Sequence, residues 1–283
     1  MTTPPVLVVQ NDPTDPIARL GQWLVEAGLE LAVVDRTGVP ATLDGYAGLI
    51  VLGGSMGATD DAVAPWLPQV RALLRAAVRA ELPTLGVCLG GQLLAAAHGG
   101  RIGANPDGPE FGAQLVAKRS AAAGDPLFGS LPITPDVIQW HYDAVTSLPA
   151  GAIQLASSPV CDNQAFRLGR LAWGVQFHIE TTPEIVRSWA EEDAEQLADY
   201  DLDLMLSRSD AAHADLVDVW RPFAHAFADV VRDPAAVAAP RGVPSSTAAP
   251  ITDPAAIRAA LAAELTASRA PLPMPGRRPD LDD

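Results

Sequence analysis

Short apolar runs alternate with helical patterns through the N-terminal third of the chain, and few folds accommodate that rhythm. Val6–Gln10, Glu30–Asp35, Gly48–Leu52 and Thr84–Val87 read as strands. The first is ended by Asn11-Asp12-Pro13. Between the strands, Pro16–Ala27 carries helical periodicity, with Thr14 or Asp15 as its expected cap and Gly28 just past its end. Pro65–Glu81 places Leu67, Val70, Leu74 and Val78 on one stripe. Leu89–His98 reads as a helix closed by Gly99-Gly100. Strands of this kind separated by helices imply a mostly parallel sheet with helices on both faces, a three-layer α/β architecture.

The rhythm is lost from Arg101 to about Val160, where prolines, glycines and short alternations suggest antiparallel strands and loops. Phe166–Leu168 and Leu171–Phe177, joined by Gly169-Arg170, read as a hairpin. Pro183–Tyr200 reads as helical, capped by Thr181 or Thr182. Asp210–Val231 is a further helical stretch, with Ser209 as a possible cap and an expected kink at Pro222. These patterns divide the chain into a main α/β domain over 1–200, a helical extension over 201–232, and an Ala/Pro-rich linker over 233–283. That last segment includes a short helix at Ala255–Thr266 and a tail expected to be disordered.

Apolar residues make up 48% of the 283, enough for a sizeable core, and the formal net charge is −15. A surface that acidic repels phosphate backbones and anionic lipid, so nucleic acid and membrane are poor partners. No apolar run reaches bilayer-spanning length, and the first residues lack the features of a signal peptide. The two cysteines, Cys88 and Cys161, read as free thiols, and the expected location is cytoplasmic.

The chemistry concentrates in Gly86-Val87-Cys88-Leu89-Gly90-Gly91-Gln92. A buried strand ends, one residue turns and a helix begins, so Cys88 sits on a sharp turn at a helix N-terminus. Glycines two positions on either side leave room for a strained turn and close backbone approach. The helix N-terminus favours negative charge and hence the thiolate, the reactive form of cysteine. The Leu89 N–H is placed to donate to a developing oxyanion.

A thiol nucleophile needs a proton-transfer partner. His98 lies about 15 Å further along the same helix and cannot serve. His178, in Trp173-Gly174-Val175-Gln176-Phe177-His178-Ile179-Glu180, ends an alternating strand, and Glu180 shares its face. A carboxylate beside an imidazole fixes its tautomer and stabilises the imidazolium. Gly53-Gly54-Ser55-Met56-Gly57 follows another strand end and offers backbone N–H groups at the same sheet edge.

These segments, with Trp140-His141-Tyr142-Asp143, resemble class I glutamine amidotransferases, particularly the branch like the amidotransferase domain of GMP synthase. The match runs from about Val6 to Ala190. The resemblance implies a flavodoxin-like amidotransferase fold, here with a helical C-terminal extension. It implies that Cys88 attacks the side-chain amide of glutamine, that His178 moves the protons, and that Glu180 orients His178. Gly54 and Leu89 then form the oxyanion hole, Gln92 holds the substrate, and Tyr142 and Asp143 flank its α-amino end. Many relatives carry a larger residue where Gly91 stands and Gly-Gly-Pro where Gly53-Gly54-Ser55 stands.

No phosphate-binding Gly-rich loop of a synthetase is present in the sequence, so ammonia would be passed to a separate synthetase chain. No cofactor and no metal is expected, since the five histidines show no close-paired spacing. Cys161 reads as an incidental thiol and His141 as structural, without a visible partner. His213 and His225 read as surface or packing residues. Trp140, Trp173 and Trp189 read as core, and Glu191-Glu192-Asp193 as a solvated helix face. The sequence leaves open glutamine hydrolysis, γ-glutamyl peptidase activity on the same chemistry, and a non-catalytic module that kept the fold.

Overall fold

The computed structural model describes residues 3–238. The expected short helix at 255–266 and the tail to 283 lie outside the described residues. An eight-stranded sheet forms the spine. Its strands are β1 (Val6–Gln10), β2 (Leu31–Asp35), β3 (Gly48–Val51), β4 (Thr84–Val87), β7 (Ala117–Lys118), β10 (Ile153–Ser157), β11 (Ala165–Leu168) and β12 (Ala172–Val175), in the order 2-1-3-4-12-11-10-7. Strands 2, 1, 3, 4 and 12 run parallel, as the apolar runs predict. The antiparallel hairpin β11–β12 and strands β10 and β7 complete one edge.

The region that breaks the rhythm supplies two antiparallel ribbons. One joins β5 (Arg101–Ala104) to β9 (Asp143–Ser147), the other β6 (Glu110–Leu115) to β8 (Asp136–His141). Among the described residues five α-helices complete the fold: α1 (Ala18–Glu26), α2 (Leu67–Arg79), α3 (Leu89–Ala97), α4 (Pro183–Glu192) and α5 (Leu202–Arg232).

The first strand feeds two cores. Val6 and Val8 pack in one cluster with Leu20, Trp220 and Phe223, while Leu7 and Val9 pack in the other with Leu67, Leu74 and Leu93. Alternate side chains of a strand face opposite ways, so a run apolar throughout must be covered on both sides. Three helix expectations differ from the structure, one being that the helix expected over Pro183–Tyr200 stops at Glu192, with turns following it. Neither Thr14 nor Asp15 caps α1, whose N-cap is Ile17 without a side-chain bond. The last helix begins at Leu202, capped by the Asp201 carboxylate, so Ser209 lies inside it and donates to the Met205 carbonyl. Thr182 caps α4 as expected, accepting from the Ile185 N–H. Helix α5 contributes Leu216, Trp220, Phe223 and Phe227 to the main core.

Register decides where the chemistry falls. Val51 pairs with Gly86, and Val87 with Val175, so β3, β4 and β12 end side by side. Whatever follows each strand therefore emerges on one edge of the sheet. Those segments are Leu52-Gly53-Gly54, Cys88-Leu89 and Gln176-Phe177-His178.

Candidate active site

Cys88 occupies the junction of β4 and α3 with φ 50° and ψ −111°. A residue with a Cβ held at positive φ costs on the order of 1–3 kcal/mol, so surrounding structure must enforce it. The enforcement is visible. The Cys88 N–H donates to the Val175 carbonyl at 2.8 Å, and the Cys88 carbonyl accepts from the Gln92 N–H at 3.0 Å. The glycines act as their pattern suggests. A Cβ on Gly90 would lie 1.9 Å from the Val51 oxygen, and one on Gly91 2.8 Å from the Val175 oxygen. Helix α3 thus rests directly on the backbone of its neighbouring strands.

His178 lies beyond the end of β12, held by a two-way backbone bridge to Ile138. Its Nδ1 is 2.6 Å from Glu180 Oε1, and both side chains are buried. The other Glu180 oxygen accepts from the Ile179 N–H at 2.9 Å. Burial alone would push the imidazole pKa down. The Glu180 carboxylate and the Cys88 sulfur, which is within hydrogen-bonding reach, outweigh it and hold His178 well above its ordinary value. The arrangement therefore favours a positively charged ring beside the sulfur. Trp189 lies against that ring, with centroids 4.7 Å apart.

A cleft of about 160 Å³ opens over Cys88 and His178. Gly54, Leu89, Gln92, Tyr142 and Asp143 all line it, so the predicted site residues converge, with Glu180 behind His178. The glycine loop is held close: Asn11 donates to the Leu52 carbonyl at 2.8 Å, and Ser55 Oγ to Asp12 at 2.8 Å. A Cβ on Gly54 would sit 3.1 Å from Leu89 Cδ2, which sets this loop against the elbow. Leu89 opens α3, so its N–H has no acceptor one turn back. Both N–H groups of the Gln92 amide are committed, to the Asp143 carbonyl at 3.0 Å and to Gln176 Oε1 at 3.1 Å. Its oxygen is what Gln92 can offer a ligand.

Three features near the sulfur were not expected there. Gln176 Nε2 donates to Cys88 Sγ at 3.6 Å. Its signal was present in the sequence, because residues 176, 178 and 180 share one face. Asp15 is buried at the cleft wall, and its carboxyl is pushed up to about 7, chiefly by burial and despite the His178 charge. Glu192 and Asp193 also line the cleft, so the acidic run of α4 is not merely a solvated face.

A second Cys/His/Glu group lies behind the cleft wall. His141 Nε2 is 3.0 Å from Glu110 Oε2, and the Cys161 sulfur is within 4.8 Å of both partners. His141 therefore has a buried partner that the sequence did not reveal. Ser158 Oγ and Gln164 Nε2 also donate to Glu110, at 2.8 and 2.6 Å, so its carboxylate is already well supplied with donors. Burial and the neighbouring Glu110 push the Cys161 thiol up to about 12, which keeps it neutral and unreactive. His213 is buried too, bonded to Thr181 and to the Ser209 carbonyl.

A family model described as glutamine amidotransferase class-I matches residues 17–189. The chain belongs to this family. Its amidotransferase domain is 40% identical over 116 residues to a glutamine-hydrolyzing GMP synthase subunit of Natronomonas pharaonis, covering 40% of this chain and 58% of that one. It is 30% identical over 149 residues to gamma-glutamyl peptidase 3 of Arabidopsis thaliana, covering 51% and 58%. The chain thus spans less than two thirds of the length of these curated relatives. The crystal structure of a glutamine amidotransferase from Thermotoga maritima aligns with a TM-score of 0.72 at 26% identity, over 81% of this chain and 100% of that one. No helix among the described residues is long and apolar enough to cross a membrane.

Proposed function

We propose that this amidotransferase domain hydrolyses a γ-glutamyl amide through a thioester on Cys88, with glutamine as the simplest substrate. The observation that carries the proposal is the strained Cys88 within hydrogen-bonding reach of an imidazole whose Nδ1 lies 2.6 Å from the Glu180 carboxylate. The thiolate adds to the amide carbonyl, and the negative oxygen is received by the Gly54 and Leu89 N–H groups. His178 gives its proton to the departing nitrogen, the C–N bond breaks, and the amine leaves. Water then adds to the thioester while His178 takes its proton. The C–S bond breaks with its electron pair going to sulfur, releasing glutamate and restoring the thiolate beside the protonated His178. Glu180 orients the ring, and Gln92, Tyr142 and Asp143 hold the glutamyl portion.

Two readings share this chemistry. In one the ammonia passes to a separate synthetase, which suits relatives named as subunits of a synthase. In the other the enzyme cuts γ-glutamyl conjugates, which suits the relative named as a γ-glutamyl peptidase. The test is release of glutamate from glutamine and from γ-glutamyl dipeptides by the purified chain and by Cys88→Ala. Turnover lost in the variant supports the proposal. A folded protein that turns over none of them, and whose Cys88 is not labelled by a glutamine-mimicking electrophile, overturns it.

A further inference from the structure

The leaving amine departs on the His178 side of the cleft, because His178 supplies its proton. That side has a distinct electrostatic character. Trp189 lies on the His178 ring, and Glu192 and Asp193 follow three and four residues later, on the same helical face. Asp193 is oriented by the Trp140 indole N–H, which donates to it at 2.8 Å. Asp15, in the turn before α1, closes in beside the glycine loop. A Cβ on Gly53 would lie 2.7 Å from Asp15 Oδ2 and 3.2 Å from His178 Cε1.

Asp15 is the telling member. It is 8% exposed and lines the cleft. Among the described residues the only donor near its carboxyl is the Trp189 N–H, a weak partner because that N–H donates to the Thr14 carbonyl at 3.1 Å. A buried carboxyl so poorly supplied with donors is costly unless a ligand supplies one. Asp143 adds a fourth carboxyl across the cleft. None of the four is ion-paired with Lys or Arg among the described residues, and no Lys or Arg lines the cleft.

We infer that the preferred substrate is a γ-glutamyl amide whose leaving amine bears a second positive charge, as a diamine or polyamine conjugate does. This rests on the γ-glutamyl hydrolase reading above. A free ammonium group on the leaving portion meets Asp15, Glu192 and Asp193. A leaving amino acid brings a carboxylate to the same place and is repelled.

The test compares γ-glutamyl amides of matched length made from 1,4-diaminobutane, butylamine and 4-aminobutanoic acid, with glutamine as a fourth substrate. One charge near several carboxylates in a half-open cleft predicts a kcat/KM about tenfold higher for the diamine conjugate than for the butylamine conjugate. The 4-aminobutanoate conjugate is expected to be the poorest of the three. Added salt should shrink the diamine advantage. Glu192→Gln should reduce it about threefold, and Glu192→Asp should restore most of it. Equal rates for the three conjugates, a preference for the anionic one, or turnover of glutamine alone overturns the inference while leaving hydrolysis standing. Turnover of none of the four removes the hydrolase reading and this inference with it.

Discussion

Replacing Gly90 by alanine tests how the nucleophile is held in place. The new methyl would sit 1.9 Å from the Val51 carbonyl oxygen, 2.7 Å from its carbon and 3.1 Å from the Val51 Cβ. All three are inside ordinary contact distance, and the nearest atoms are backbone, which cannot rotate aside. Helix α3 must lift from β3 by more than about 1 Å, in an interior packed as densely as an organic crystal. Overpacking of this kind costs about 3 kcal/mol or more, of which the better helix propensity of alanine returns about 1. A net loss of about 2 kcal/mol in a domain of this size lowers Tm by about 4–8 °C. Thermal and guanidinium melts followed by circular dichroism measure it. Gly103→Ala is the control, since a Cβ there meets nothing within 4 Å. Turnover should fall as well, because Val51 leads directly into the loop carrying Gly54. A Gly90→Ala protein that melts within about 1 °C of the parent with unchanged turnover would refute this account of the elbow.

Cys88→Ala should lower kcat by about a thousandfold or more, whereas Cys161→Ala should stay within about twofold, and steady-state assays separate the two. Asp15→Asn tests the raised carboxyl. Its folded pKa of about 7 lies above the ordinary 3.8, so the folded state holds a proton that the unfolded chain releases. The stability this confers is complete below about pH 4 and is lost as pH rises through about 7, by at most on the order of 4 kcal/mol. The variant should therefore match the parent near pH 4 and melt higher near pH 8, and equal melting at both values would refute the shift. Asp125→Ala strands the buried Arg167, now paired at 3.3 Å, and also removes an acceptor for the Trp173 indole. A loss of about 3–5 kcal/mol in denaturant melts is expected.

The sheet and the nucleophile were legible because their signals are local. Runs apolar on both faces, glycines flanking Cys88, and His178 two positions from Glu180 each state a geometry that the chain then adopts. The remainder depends on distant partners. Thr14 and Asp15 look like caps, yet α1 starts further on, and the turn before it delivers Asp15 to the cleft instead. Glu110 and His141 are thirty-one residues apart and meet only because β6 pairs with β8. The start of α5 is hidden because Ser209 resembles a cap. The residues before it suit a helix equally well, and Asp201 caps it.

The knot of Glu110, His141, Ser158 and Gln164 ties separate stretches of chain together behind the segment bearing Tyr142 and Asp143. The members share one carboxylate, so exchanging any one removes a buried hydrogen bond from its neighbours. That wall is accordingly a poor place for descendants of this gene to try out new substrates. Divergence would run instead through the exposed end of α4, where a residue such as Glu192 can change without unfolding anything.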